Sequence, residues 1–144
     1  MIVPDVNLLL YAVDSGSPHH ETAATWWRSA LKGREPIGLP WVTALAFLRL
    51  TTNPRIFVRP LGAVQAADVV EGWFGRRHVV PIEPTQRHLA LLRGLLDAVG
   101  TAGNLVTDAH LAALAIEHGA TLCSADADFG RFPGLRWRNP LKVT

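Results

Sequence analysis

The sequence has one cysteine, Cys123, so no internal disulfide can staple the chain, and one sulfur cannot gather the scattered histidines into a zinc cluster. A reducing compartment, the cytoplasm, is the expected setting. No apolar run reaches the roughly 18 residues needed to cross a bilayer, because Asp5, Asp14, Arg49, Arg93, Asp97 and Asp108 interrupt the greasiest stretches. The opening Met1-Ile2-Val3-Pro4-Asp5 has no basic segment of the kind that starts a signal peptide. Lysine is scarce too: twelve arginines stand against two lysines, Lys32 and Lys142. Acids are absent from Pro36 to Ala67. What remains is 144 residues with 49% apolar and 18% charged content, which excludes a disordered tail and suffices for one hydrophobic core. The reading is one domain over 1–144. A net charge of +2 carried mainly by arginine leans toward an anionic partner, since the guanidinium fork binds phosphate in bidentate fashion.

Apolar patterning and turn residues divide the chain into short alternating units. Strands are expected at Met1–Val3, Pro36–Pro40, His78–Ile82, Thr121–Cys123 and Leu135–Trp137. Helices are expected at Asn7–Val13, His20–Lys32, Trp41–Thr52, Leu61–Trp73, Thr85–Val99 and Asn104–His118, several of them stopped by a glycine such as Gly100 or Gly119. Buried strands alternating with helices indicate an α/β fold, a three-layer α/β/α domain with a mainly parallel central sheet. In such sheets ligands collect beyond the carboxyl ends of the strands.

The acids fall at those ends. Asp5 follows the first strand, Asp126 and Asp128 follow the Thr121–Cys123 strand, and Asp108 lies in the first turns of the apolar helix before it. Converging carboxylates raise one another's pKa unless a cation neutralises them, and Mg2+ or Mn2+ does so while keeping waters for a phosphate. Each acid also has a structural reading: Asp5 or Asn7 as a helix cap, Asp108 as a first-turn acid, and Asp126 and Asp128 as turn formers.

The opening Ile2-Val3-Pro4-Asp5-Val6-Asn7, the run from Val106 to Ala115 containing Thr107-Asp108-Ala109-His110, and the closing Ser124-Ala125-Asp126-Ala127-Asp128-Phe129 together resemble the PIN-domain family. The likeness is closest to the VapC-type toxin ribonucleases of type II toxin–antitoxin pairs and spans almost the whole chain. That resemblance implies a magnesium-dependent endoribonuclease in which Asp5 and Asp108 hold the metal and Asp126 and Asp128 complete the catalytic acids. It implies Ser124 as the Ser or Thr two places before Asp126, and Asn7 either bonding a metal-bound water or capping its helix. It also implies Arg49 near the RNA, an RNA substrate, a cognate VapB-type antitoxin and a homodimer.

One departure stands out. Where the family carries a glutamate followed three places later by an arginine, this chain reads Thr43-Ala44-Leu45-Ala46-Phe47-Leu48-Arg49, so Ala46 or Phe47 fills the glutamate position. A water, Thr43 or a more distant acid such as Glu21 is left to substitute. The missing acid supports a competing reading, a degenerate PIN-like module that binds RNA or protein without cleaving. A signalling receiver domain and a haloacid-dehalogenase-type phosphatase fall behind, the first for want of a lysine beyond a late strand, the second because Asp5-Val6-Asn7 lacks its second aspartate. Trp26, Trp27, Leu31, Phe47 and Leu50 are expected to form a docking surface for the antitoxin.

Overall fold

The computed structural model describes residues 1–100, 103 and 105–142. Five strands, β1 (Ile2–Pro4), β2 (Ile37–Pro40), β3 (Val79–Ile82), β4 (Thr121–Cys123) and β5 (Arg136–Arg138), pair in parallel throughout in the order β3-β2-β1-β4-β5. Between them run α1 (Val6–Val13), α2 (His20–Lys32), α3 (Trp41–Thr51), α4 (Ala63–Phe74), α5 (His88–Val99) and α6 (Leu105–Glu117), with a 3-10 turn over Ala127–Arg131 before β5. The expected α/β/α architecture is therefore present.

The strands alternate faces, as a period of two requires. Ile2 and Cys123 pack with Leu8, Leu9, Trp27, Phe47 and Trp73 under α1 to α4, whereas Val3 and Leu122 pack with Leu95, Leu111, Leu114 and Phe129 under α5 and α6. Both faces of the sheet are covered, which is why the strands read as unbroken apolar runs. In β2, an added Cβ at Gly38 would stand 2.9 Å from Met1 Sδ and 3.0 Å from an Ile82 methyl, so a larger residue there would have to displace both side chains. Gly119, at φ +64°, turns the chain from α6 into β4.

Most boundaries lie within a residue or two of the expected ones. α5 is the exception: it begins at His88 rather than Thr85, and the residues before it form a turn in which Thr85 Oγ1 accepts from Arg87 N and the Thr85 carbonyl accepts from His88 N. The expected start of α6 at Asn104 lies outside the described residues. Among the described residues no helix is long and apolar enough to cross a membrane.

The connections from β1 to β3 step one way across the sheet, and the α5–α6 connection returns past β1 to β4. Strand order therefore reverses between β1 and β4, the place where a doubly wound sheet opens a crevice at its carboxyl edge.

Candidate metal and catalytic site

β1 and β4 run side by side with Pro4 opposite Cys123, so the residues that follow them, Asp5 and Ser124, leave the sheet together. The Asp5 N–H donates to the Cys123 carbonyl at 2.9 Å. Asp5 is the cap of α1, its Oδ1 accepting from Val6 N at 2.8 Å, and its Oδ2 accepts from Ser124 Oγ at 2.7 Å. The capping role and a role in the crevice are thus compatible in one carboxylate.

Ser124, fully buried, is the hub. Its hydroxyl donates to Asp5 and accepts from Asn7 Nδ2 at 3.2 Å and from Asp126 N at 3.0 Å, using its one donor and both lone pairs. Its backbone is pinned to β5 on both sides, the N–H donating to the Arg138 carbonyl and the carbonyl accepting from Trp137 Nε1. Asn7 is therefore not the helix cap; its amide ties α1 to the loop after β4, with Oδ1 accepting from Ala125 N at 3.4 Å. Asp126 caps the 3-10 turn by accepting from Asp128 N at 2.9 Å. It is half-buried, and Asp128 is exposed. Removing the hub leaves three polar groups short of a partner. Ser124→Ala is expected to cost about 2 kcal/mol of stability by urea denaturation. A loss under about 0.5 kcal/mol, the range of a featureless surface change, would mean the hydroxyl does not organise the loop.

A cavity of about 420 Å³ opens beside Asp5. Asp5, Thr107, Asp108 and Leu111 line one side; Val42, Thr43, Leu45, Ala46, Arg49 and Leu50, one face of α3, line the other. The open question of the glutamate position is answered by orientation. Ala46 faces the cavity, in line with Arg49, whereas Phe47 is fully buried against Trp73 at 4.7 Å between ring centroids. Thr43 Oγ1 is occupied by the Pro4 carbonyl at 3.3 Å. Glu21 is exposed on α2 in a separate depression with Thr22, Thr25, Trp26 and Pro140, so it does not reach this cavity.

Electrostatics reports the crowding. Burial pushes the half-exposed Asp108 carboxyl up to about 6, reinforced by the negative charges of Asp5, Asp126 and Asp128. Burial also raises Asp5, against the hydrogen bonds from Ser124 and Val6 N–H that pull it down, and the charge of Asp126 adds to the rise. A carboxyl that is a weaker acid folded than unfolded lets the folded state bind the extra proton. Its ionisation therefore removes stability as pH rises from about 4 through about 6. In metal-free protein, the gain in melting temperature of Asp108→Asn over the wild type should grow across that window and level off above it. A gain independent of pH would mean that neither burial nor the neighbouring acids raise the Asp108 carboxyl.

Among the described residues no group of three or more His, Cys, Asp or Glu side chains is placed to hold an ion unaided. Asp5 and Asp108 are a pair of hard oxygen donors that each favour neutralisation, which suits an ion that takes one or two carboxylates and completes its octahedron with water and phosphate. Mg2+ fits that description, and Mn2+ shares its ligand preference.

The sequence-level docking surface needs correction. Trp27 and Phe47 are core residues, and Trp73 meets both rings edge-on. Leu45 is a large apolar side chain that is both exposed and part of the cavity lining, and Trp41 and Val106, also exposed, adjoin the lining residues Val42 and Thr107 in sequence.

Comparison with known proteins adds the following. The family model described as "PIN domain" matches residues 2–135. Ribonuclease VapC37 of Mycobacterium tuberculosis is 47% identical over 97% of this chain and 97% of its own length. Ribonuclease VapC33 of the same species is 43% identical over 99% of each. The structure resembles VapBC2 from Rickettsia felis, solved bound to a DNA fragment from its promoter, with a TM-score of 0.67 at 18% identity, covering 96% of this chain and 98% of that one. At that identity the likeness concerns the fold.

Proposed function

This chain belongs to the PIN-domain family, and from that premise and the acidic cavity we propose that it is a magnesium-dependent endoribonuclease, the toxin of a VapBC-type toxin–antitoxin pair. The observation that carries the reading is the meeting of Asp5 and Asp108, from β1 and α6, at one crevice where both carboxyls are held above their ordinary range. The named relatives support it as ribonucleases, and the VapBC likeness supports an antitoxin partner.

In this reading the chain, 1–144, works as one PIN-like domain. Asp5 and Asp108 would hold Mg2+, with Mn2+ an alternative. Such an ion would supply charge neutralisation at the phosphodiester and a bound water more easily deprotonated to the attacking hydroxide. Asp5 is fixed in place by the Ser124 hydroxyl and the Val6 N–H, so it approaches the crevice with little freedom to swing. Asp126 and Asp128 keep the local potential negative and complete the acidic cluster. Asn7 holds the β4 loop against α1. Arg49, exposed on the α3 wall, supplies the cationic contact that orients an RNA phosphate beside the acids. The partners are RNA, a VapB-type antitoxin presenting a basic side chain to the acidic crevice, and a second copy of the chain.

The test uses purified protein and a mixed RNA substrate. Cleavage is expected with Mg2+, to be abolished by a chelator and to return when Mg2+ or Mn2+ is restored in excess. Cleavage indifferent to chelation overturns the metal mechanism. One observation favours the second reading, an RNA- or protein-binding module without cleavage: Ala46 stands where a third carboxylate would face the cavity. Binding without cleavage at any Mg2+ or Mn2+ concentration decides for it.

A further inference from the structure

α3 begins where β2 ends, at the sheet edge that carries Asp5: β2 runs parallel to β1, and in the first turn of α3 Thr43 Oγ1 donates to the Pro4 carbonyl at 3.3 Å. Three of its eleven residues are exposed, Trp41, Leu45 and Arg49. At spacings of four they lie one above another along the helix, rising about 6 Å at each step. The solvent face of such a helix is ordinarily polar, yet this one holds two large apolar side chains, Trp41 at 49% and Leu45 at 57% exposure, before it reaches its single cation. Leu45 and Arg49 line the acidic cavity, so the stripe forms its rim, and Trp41 extends that rim by one turn.

Trp41 is braced. The ring of Phe74, the last residue of α4, lies against it with centroids 5.7 Å apart and planes 34° apart, while about half of the residue stays open to solvent. An aromatic ring fixed in this way loses little freedom when a flat partner covers it. The other end of the stripe decides what that partner is. No acid occurs from Pro36 to Ala67, and among the described residues no carboxylate pairs with Arg49. A ligand spanning the stripe therefore meets a cation at Arg49 and a flat apolar surface at Trp41, which match the phosphate and the base of a nucleotide strand. We propose that Trp41 positions the RNA by stacking on an unpaired base about one or two nucleotides from the phosphate at Arg49, so that the bound strand is single-stranded there. The inference rests on the reading of the crevice as an RNA site.

The chemistry of the rim sets what is recognised. Bases inside a duplex hide their faces in the stack, and only an unpaired one offers its flat side to an indole. Leu45 has no donor or acceptor, and Thr43 is buried with its hydroxyl donating to Pro4, so the rim selects for flatness instead of a base's hydrogen-bonding edge. Every base has such a face, and the two fused rings of a purine have more of it. The expected preference is for unpaired over paired RNA, with purine favoured at one position.

The probe is a short single-stranded RNA selected from a mixed pool by binding to the full wild-type chain, with fluorescence anisotropy read in chelator and cleavage read in Mg2+. Trp41→Ala is expected to weaken binding about 5- to 150-fold, the range of one base–aromatic stack, and to raise KM with kcat little changed. Trp41→Phe should recover most of that loss; Trp41→Leu, which keeps apolar bulk against Phe74, should not. Bases are then removed from the RNA one at a time, keeping sugar and phosphate. At one position the removal should cost the wild type as much as Trp41→Ala does and cost the alanine variant little. Unchanged affinity in Trp41→Ala, full recovery by leucine, or the lack of such a position each overturns the proposal. So does a Trp41→Ala chain that handles RNA as before but no longer self-associates or holds its antitoxin, since the face then belongs to a protein partner. A pool from which the wild type binds nothing removes this proposal and the RNA reading together. RNA that is bound with the expected base dependence but never cleaved leaves the stack standing and removes only the nuclease reading.

Discussion

Asp108→Asn is expected to lower RNA cleavage by about a thousandfold while leaving the metal-free protein at least as stable as the wild type. The two effects have one cause. At neutral pH Asp108 is a carboxylate placed among the charges of Asp5, Asp126 and Asp128, in a partly desolvated position that raises its pKa to about 6. Folding tolerates this charge rather than benefits from it, and the amide removes the repulsion while keeping the shape. In the proposed mechanism the same charge is half of the oxygen pair offered to the cation, so neutralising it leaves only a weaker, uncharged oxygen donor. Stability measured by thermal melting in chelator and initial cleavage rates in Mg2+ should therefore move in opposite directions. A variant that cleaves normally, or one that loses activity only because it unfolds, would break the link between crowded charge and catalysis. Asp126→Asn is the useful contrast: an asparagine keeps the Oδ1 that caps the 3-10 turn, and Asp108 is the carboxyl held up to about 6, so the change at Asp126 should yield less stabilisation than at Asp108.

Much of this arrangement was legible in the chain. Each strand is a short apolar run because both sheet faces are covered, and helices such as α5 and α6 end at glycines that tolerate a left-handed backbone, so element identities followed from local chemistry. Asp5, Asp126 and Asp128 are visible because strand ends are where a parallel sheet exposes its crevice. Other features depend on pairing between distant residues. That β1 sits between β2 and β4 is a matter of non-local hydrogen bonds, and it is this adjacency that joins Asp5 to Ser124 across 119 positions. Whether Ala46 or Phe47 faces the cavity depends on the rotation of α3, which is apolar on nearly all sides and so gives little directional signal. Trp27 and Phe47 look like docking residues by composition, but a T-shaped contact with Trp73 places each in the core. The hydrogen-bonded chain in which His88 Nδ1 lies 3.0 Å from Glu117 Oε2 and His88 Nε2 lies 2.9 Å from His110 Nδ1 left no trace in any window. Its members come from two helices, and His88 reads as one more polar residue at a helix start.

Ala46→Glu is expected to lower the Mg2+ concentration needed for half-maximal cleavage about tenfold or more, at the cost of stability in metal-free protein. Ala46 is half-buried on the face of α3 that carries Arg49 and lines the cavity opposite Asp5 and Asp108. A glutamate there extends a third carboxylate into a space of about 420 Å³, large enough to receive it without displacing the Phe47 packing on the other side of the helix. Without a cation the new charge joins a site where burial first, and the charges of Asp5, Asp126 and Asp128 second, hold Asp108 up to about 6, so like-charge repulsion must rise and the melting temperature in chelator must fall. With Mg2+ the same charge becomes a ligand, and the metal-dependent rise in melting temperature should exceed that of the wild type. Arg49, one turn away, partly offsets the repulsion and keeps the glutamate side chain over the cavity. Ala46→Gln separates charge from bulk: it should neither destabilise the metal-free protein by repulsion nor shift the Mg2+ requirement by a comparable factor. If glutamate leaves both the metal-free stability and the Mg2+ requirement unchanged, residue 46 does not look onto the ion, and the placement of the metal between Asp5 and Asp108 is wrong.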